Sequence, residues 1–174
     1  MVTTREPGGT EQAERIRELL VTGEPGRWQP LTELCLVLAA RIEHLHHVVR
    51  PALGRGAIVL CDRFADSTRV YQGLAGGLGL PLVETMLGPV LQGLEPDLTF
   101  VLDLDPALGA ERDRARGRPG RFEQKGEAYH RRVREGFLEV ARAAPERCVV
   151  IDASGPVDAV HAAILTTALE RLGR

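Results

Sequence analysis

Lysine is almost missing from this chain. Of 22 basic residues in 174, Lys125 is the only lysine. Any recognition of phosphate therefore rests on arginine, whose planar fork grips an oxyanion through two parallel bonds where lysine offers a mobile point charge. Charge of one sign is equally scarce. Twenty-four acidic residues oppose the 22 basic ones, and the net charge of −2 excludes a strongly basic nucleic-acid binder as the first reading. Aromatic side chains make up 4% of the residues, too few for a surface that stacks bases. No apolar run approaches the roughly 20 residues of a membrane-spanning helix. The opening Met1-Val2-Thr3-Thr4-Arg5-Glu6 carries no hydrophobic stretch of the secretory type. The expectation is a cytoplasmic protein that engages neither membrane nor nucleic acid. Cys35, Cys61 and Cys148 are widely spaced and form no CxxC pair, so they read as buried, reduced thiols rather than as a disulfide framework or a zinc site.

What is present suits a single α/β domain. Apolar residues are 44% of the chain, and at this length folding buries roughly 70% of the unfolded surface. Strand candidates begin at Val2–Thr4 and recur at 57–61, 98–103 and 148–151. They are continuous apolar runs, which predicts strands covered on both faces and hence a parallel sheet between helix layers. Pro30, Pro81, Pro106 and Pro156 stand where first helical turns begin, and Asp105 and Ser154 are candidate caps. Apolar stripes at helical spacing follow: Leu34, Leu38, Ile42, Leu45, Val49, then Val83, Met86, Leu87, Val90, Leu94, and last Val157, Val160, Ile164, Leu165, Ala168, Leu172. This alternation predicts a doubly wound fold with no internal repeat or linker. Such sheets open with a strand that ends at the nucleotide site. Here the first strand residues lie one or two positions from Met1, so an opening strand is expected upstream.

Four segments carry chemistry. Thr4-Arg5-Glu6-Pro7-Gly8-Gly9-Thr10 puts an arginine at the carboxyl end of a strand, where α/β folds bind ligands, although a Pro-Gly-Gly turn before a helix is also ordinary loop chemistry. Asp62-Arg63-Phe64 follows the second strand. Asp62 is suited to Mg²⁺ or to an arginine, Arg63 to phosphate, and Ser67, Thr68, Tyr71 and Gln72 to a base or sugar; a structural Asp–Arg pair is the alternative. Arg41 interrupts an apolar helix one turn after Val37. A charge there is either partnered or snorkels to water. His44, His46 and His47, which point in different directions, read as solvated or packing residues. From Glu111 to Glu135, nine basic residues face five acidic ones around Gly117, Pro119 and Gly120, which predicts a mobile, arginine-bearing loop at about 112–126 that closes over phosphates. A solvated charged face is the plainer account of that run.

In this order the segments resemble the thymidylate kinase family. Thr4 to Thr10 is similar to its TREPGGT segment, Asp62-Arg63-Phe64 through Tyr71-Gln72-Gly73 to its DR…S…YQG segment, and Arg114 to Gly117 with Arg121 to its arginine-bearing lid. The resemblance covers essentially the whole chain. It implies a P-loop nucleoside monophosphate kinase fold and transfer of the γ-phosphoryl of ATP to dTMP, giving dTDP for dTTP synthesis, with Mg²⁺ accompanying ATP. It also implies a homodimer packed through the region from Leu34 to Val49. Carried onto this sequence, it gives the dTMP phosphate to Arg5 and Arg63, and places Glu6 and Pro7 beside them. Asp62 enters the catalytic and metal environment, Arg41 the thymine edge, and Thr68, Tyr71 and Gln72 the base and sugar pocket. Arg116 and Arg121 go to the lid that embraces the transferring phosphoryl.

Two departures bear on function. Val37 stands where the family usually carries an aromatic residue that stacks on thymine. The family's GxxxxGK[ST] phosphate loop has no counterpart, because no Gly-Lys pair occurs in the chain. The reading is therefore of a thymidylate-kinase-like chain with its first strand and phosphate loop missing, whose natural start lies upstream. Competing readings are a related kinase for another nucleotide, which Val37 leaves open, and a non-catalytic nucleotide-binding module.

Overall fold

A computed structural model describes residues 1–116 and 120–173, the side chains of 113–116 excepted. These residues form two compact units. One is built from residues 1–93, to which 120–125 return; the other comprises 94–116 and 126–173.

In the first unit β1 (Val2–Arg5) runs into α1 (Glu11–Val21). The hydroxyl of Thr10 caps this helix by accepting the Ala13 N–H at 3.1 Å, and Glu11 and Glu14 sit in the first turn where the helix dipole favours acids. Helix α2 (Pro30–His44) starts on Pro30, whose missing N–H costs nothing at that position. It passes through a π-helical turn at Leu45–Val49 into the short α3 (Arg50–Gly54). The widened turn lies directly before Pro51, which has no N–H to donate one turn back. Strand β2 (Val59–Asp62) then pairs parallel with β1 in the register Val2↔Val59 to Arg5↔Asp62. A single turn α4 (Ala65–Thr68), a π-helical turn at Arg69–Leu74 and α5 (Leu80–Leu91) follow. Ala13, Leu20, Leu34, Leu38, Leu45, Val70, Val83 and Leu87 are buried together as the core of this unit.

The second unit repeats the strand–helix–strand plan. Strand β3 (Thr99–Asp103) leads to α6 (Pro106–Arg116), capped by the Asp105 carboxylate accepting the Ala107 N–H at 2.9 Å. Helix α7 (Glu127–Ala143) precedes β4 (Cys148–Asp152), which pairs parallel with β3, and α8 (Val157–Arg171) closes the chain. Val101, Ala141 and Cys148, with Phe137 and Ala144, form its core. Parallel pairs joined by helices are the βαβ arrangement the sequence predicts.

Burial alternates along β1 and β2, and Leu60 is 56% and Leu102 52% exposed among the described residues. Two expectations need correction. The stripe on α8 buries none of its residues, Val157 being 83% exposed, and its N-cap is Pro156 without a side-chain bond; Ser154 instead donates its N–H to the Asp152 carboxylate at 2.8 Å. Finally, Cys35 is exposed and Cys61 half-buried, leaving Cys148 as the buried thiol.

Asp103 at the end of β3 is clamped by Arg134, Nε to Oδ1 at 2.7 Å and Nη2 to Oδ2 at 2.9 Å. That guanidinium holds the Asp103 carboxyl below the usual carboxylate range. A lowered folded pKa contributes stability above the unfolded value of about 3.9 and loses it as pH falls through the folded value. Arg134→Gln should return the Asp103 carboxyl to about 4 in a carbon-detected NMR titration. The stability difference between this variant and the parent should shrink on acidification below that point.

Candidate active site

Arg5 ends β1, its register partner Asp62 ends β2, and the two strand ends are joined as the Glu6 N–H donates to the Asp62 carbonyl at 2.9 Å. After a cis Glu6–Pro7 peptide the chain turns through Gly8 (φ 137°) and Gly9 (φ 86°). Both glycines are required by space as well as by φ. A Cβ on Gly8 would lie 2.4 Å from Glu14 Oε1, and one on Gly9 would lie 2.5 Å from His44 Cδ2. Arg5 is exposed and rests on Glu14, Nε to Oε1 at 3.1 Å and Nη2 to Oε2 at 2.8 Å, while Glu14 also accepts the Gly9 N–H at 3.0 Å. Bonding to Arg5 and then to Gly9 holds the Glu14 carboxyl below its usual range. Thr3, Thr4, Arg5, Gly9, Glu14 and Asp62 line an open cleft of about 510 Å³ at this strand end.

Arg63 takes φ = +67°, a left-handed conformation that costs a bulky side chain of order 1–3 kcal/mol and collects at functional sites. Its guanidinium lies 5.1 Å over the ring of Tyr71, and its carbonyl accepts the Cys61 Sγ–H at 3.1 Å. Burial pushes the Cys61 thiol up to about 12, so it stays a neutral donor to that strained peptide. Asp62 is exposed. No cluster of three or more His, Cys, Asp or Glu side chains that could hold a metal ion forms among the described residues.

The remaining groups stand on one ridge of α2. Glu33, Val37, Arg41 and His44 recur at spacings of four, four and three, and all are buried. Arg41 Nε donates to Glu6 Oε2 at 2.7 Å and its Nη2 to Thr68 Oγ1 at 3.0 Å, while Phe64 lies 5.2 Å beneath the guanidinium. His44 pairs through Nδ1 with Glu6 Oε1 at 2.9 Å and through Nε2 with Thr4 Oγ1 at 2.7 Å. Glu33 accepts Gln72 Nε2 on Oε1 at 2.8 Å and Arg121 Nη2 on Oε2. Of the expected site residues, Arg5, Glu6, Pro7, Asp62 and Arg63 gather at the strand ends, Val37, Arg41, Thr68 and Gln72 lie along or against the α2 ridge, and Tyr71 packs against Phe122 beneath Arg63. Sequence reasoning missed His44 and Glu33. The signal was available: each shares the apolar face that made Arg41 conspicuous, and a charge or imidazole there needs a partner.

Arg121 departs from its expected place. Its guanidinium is fully buried, with Nε donating to the Leu20 carbonyl at 2.7 Å, Nη1 to the Pro25 carbonyl at 3.2 Å and Nη2 to Glu33. Those bonds occupy its fork, so in this structure it faces protein rather than an open cleft; the spacing that suggested a lid arginine reports charge, not direction. Phe122 beside it packs edge-on against Tyr71 at 5.6 Å. The side chain of Arg116 lies outside the described residues, as do 117–119 of the expected lid.

Comparison with known proteins bears on this geometry. The family model for thymidylate kinase matches residues 1–164. The thymidylate kinase of Caulobacter vibrioides is 54% identical over 173 residues, covering 99% of this chain and 83% of that protein. That of Deinococcus radiodurans is 48% identical over 98% of this chain and 82% of its own length. Among solved structures, a thymidylate kinase from Ehrlichia chaffeensis superposes with a TM-score of 0.77 at 32% identity, covering 96% of this chain and 80% of the other.

Arg121→Met would leave Glu33 buried with its strongest partner gone, a change that costs about 3–5 kcal/mol. Urea unfolding followed by the fluorescence of Trp28, the single tryptophan, reads this unit directly. The double variant Glu33→Gln with Arg121→Met should recover much of the loss, because it removes the stranded charge.

Proposed function

The chain belongs to the thymidylate kinase family, and from that premise we propose that its first unit is the acceptor side of an ATP:dTMP phosphotransferase, receiving dTMP at the carboxyl ends of β1 and β2. The observation that carries this reading is the buried Arg41 held between Glu6 and Thr68 beside an exposed Arg5 and a strained Arg63. A base edge and a phosphate would be met there by arginines of two kinds, one fixed and desolvated, the others open to the solvent. A thymidylate kinase acts on dTMP, which does not favour the alternatives of another nucleotide or a non-catalytic module.

In this reading the dTMP phosphate displaces Glu14 from Arg5 and draws on Arg63 as a second fork. Val37 and Tyr71 flank the base, with Gln72, fixed by Glu33, in the same pocket. Asp62 orients the phosphate face and would hold Mg²⁺, which arrives with ATP and offsets charge on the phosphates. Arg116 supplies transition-state charge from the lid, and Arg121 anchors the returning segment to α1 and α2. The GxxxxGK[ST] cradle for the donor phosphates is not among these 174 residues, so acceptor binding rather than turnover is the direct test. A cytoplasmic location belongs to the same reading; no helix among the described residues is long and apolar enough to cross a membrane.

A homodimer through α2 is also proposed. Leu31, Cys35, Ala39 and Ile42 on that helix, continued by His46 in the π-helical turn, form an exposed, mostly apolar stripe opposite the buried ridge.

Calorimetric titration of the purified chain with dTMP should give saturable binding. Arg5→Ala should weaken it roughly 10- to 100-fold, the range for a lost bond between charged groups. Absence of dTMP binding overturns the assignment. In sedimentation equilibrium the parent should run at twice its 19.0 kDa and Ile42→Glu at the single mass. A monomeric parent defeats the dimer.

A further inference from the structure

Arg41 Nη1 is buried and has no hydrogen-bond partner, whereas Nε and Nη2 of the same guanidinium are both satisfied. An arginine cannot shed a proton to relieve an orphaned donor, and burying one without an acceptor is costly. The unmet demand is of one chemical kind, since only an acceptor can answer it. The guanidinium that carries it is held in place by a chain of bonds. Glu6 divides its carboxylate between Arg41 and His44; because a carboxylate only accepts, His44 presents Nδ1–H to it. His44 is tied in turn to Thr4 on β1 and packed against Gly9, where no Cβ fits. Thr4, His44, Glu6 and Arg41 thus form an unbroken chain from the strand to the orphaned N–H. A buried ion pair is weak evidence for stability, since apolar residues of similar volume often serve as well. Retaining one that leaves a buried donor unsatisfied is better explained by recognition.

We propose that Glu6 and His44 are positioning residues that hold Arg41 as a rigid, donor-only edge, and that this rail makes the pocket select a pyrimidine with a carbonyl at the recognised position over one with an amino group. It rests on the reading of the first unit as the dTMP side. An amino group would set donor against donor inside a desolvated pocket, and the site would reject it by leaving both unpaired. Glu6 is accordingly assigned to orienting Arg41 rather than to contact with the nucleotide. With the rail broken, the guanidinium can turn Nη1 towards another acceptor and discrimination falls, even where binding persists through the phosphate.

The test compares Kd values for dTMP, dUMP and dCMP by calorimetry on the full chain, dUMP separating the 5-methyl contribution from the carbonyl. In Glu6→Gln and His44→Leu the preference for dTMP and dUMP over dCMP should drop roughly tenfold. His44→Asn, which keeps an N–H near the Nδ1 position, should retain the parent ratio, and Thr4→Val, which loosens only the far end, should show a smaller drop. Arg5→Ala should weaken all three ligands alike and leave the ratio unchanged. Undiminished selectivity in the folded His44→Leu and Thr4→Val variants overturns the inference while leaving the pocket assignment intact, as does a uniform loss of affinity that a merely structural role would produce. If the parent chain binds none of the three, the assignment of the pocket itself fails, and the inference with it.

Discussion

The ion pair between Glu6 and Arg41, both almost wholly enclosed, is the constraint on which the site depends. It ties the turn after β1 to the last turn of α2, and with the Glu6 N–H bonded to the Asp62 carbonyl it brings strand ends and helix to one point. A charge pair this deep survives only with good geometry and with its remaining atoms bonded. Here His44 and Thr68 meet that requirement, and Nη1 is left over. The stiffness of the pocket and its demand for an acceptor therefore share one cause.

A second buried pair stands two turns earlier on the same ridge. Glu33 receives Gln72 on one oxygen and Arg121 on the other, so Gln72, proposed to line the pocket, and the segment returning from residue 120 are fixed by one carboxylate. Phe122 extends the link to Tyr71, over which Arg63 lies. Val37 occupies the span between the two pairs. In the proposed acceptor pocket an apolar residue bracketed by buried charges would give the base a dry contact, with direction coming from the charged groups on either side. The end proposed for the phosphate is built differently: Arg5 and Arg63 are exposed, and Arg5 is held by Glu14. An exposed pair of this kind is worth little in water and yields readily to a dianion.

Local features were the legible ones. Apolar runs located β2, β3 and β4, prolines marked the starts of α2, α5 and α6, and Asp105 caps α6 as its place before Pro106 predicts. The resemblance was legible too, because Arg5, Asp62 and Arg63 lie in short contiguous motifs. Arg41 was conspicuous as a charge on an apolar face, and the same logic applied to Glu33 and His44 would have found them. What misled was exposure. The stripe on α8 has helical spacing yet stays open, and Cys35, bracketed by leucines, faces outward.

By itself the sequence determined which chemical groups the chain brings to a phosphate and a base, namely arginine in place of lysine, a glycine pair where backbone must pass close to side chains, and acids at strand ends. It also determined an order of elements that admits a βαβ plan. Spacing encodes those features because they arise within a few residues. Only the tertiary structure decided who partners whom. Arg41 meets Glu6 across 35 residues and Arg121 meets Glu33 across 88. No local periodicity fixes such distances. The same kind of side chain consequently became a buried, part-satisfied donor at Arg41, an open fork at Arg5 and a buried anchor at Arg121, because burial and the nearest carboxylate, rather than identity, set what an arginine does.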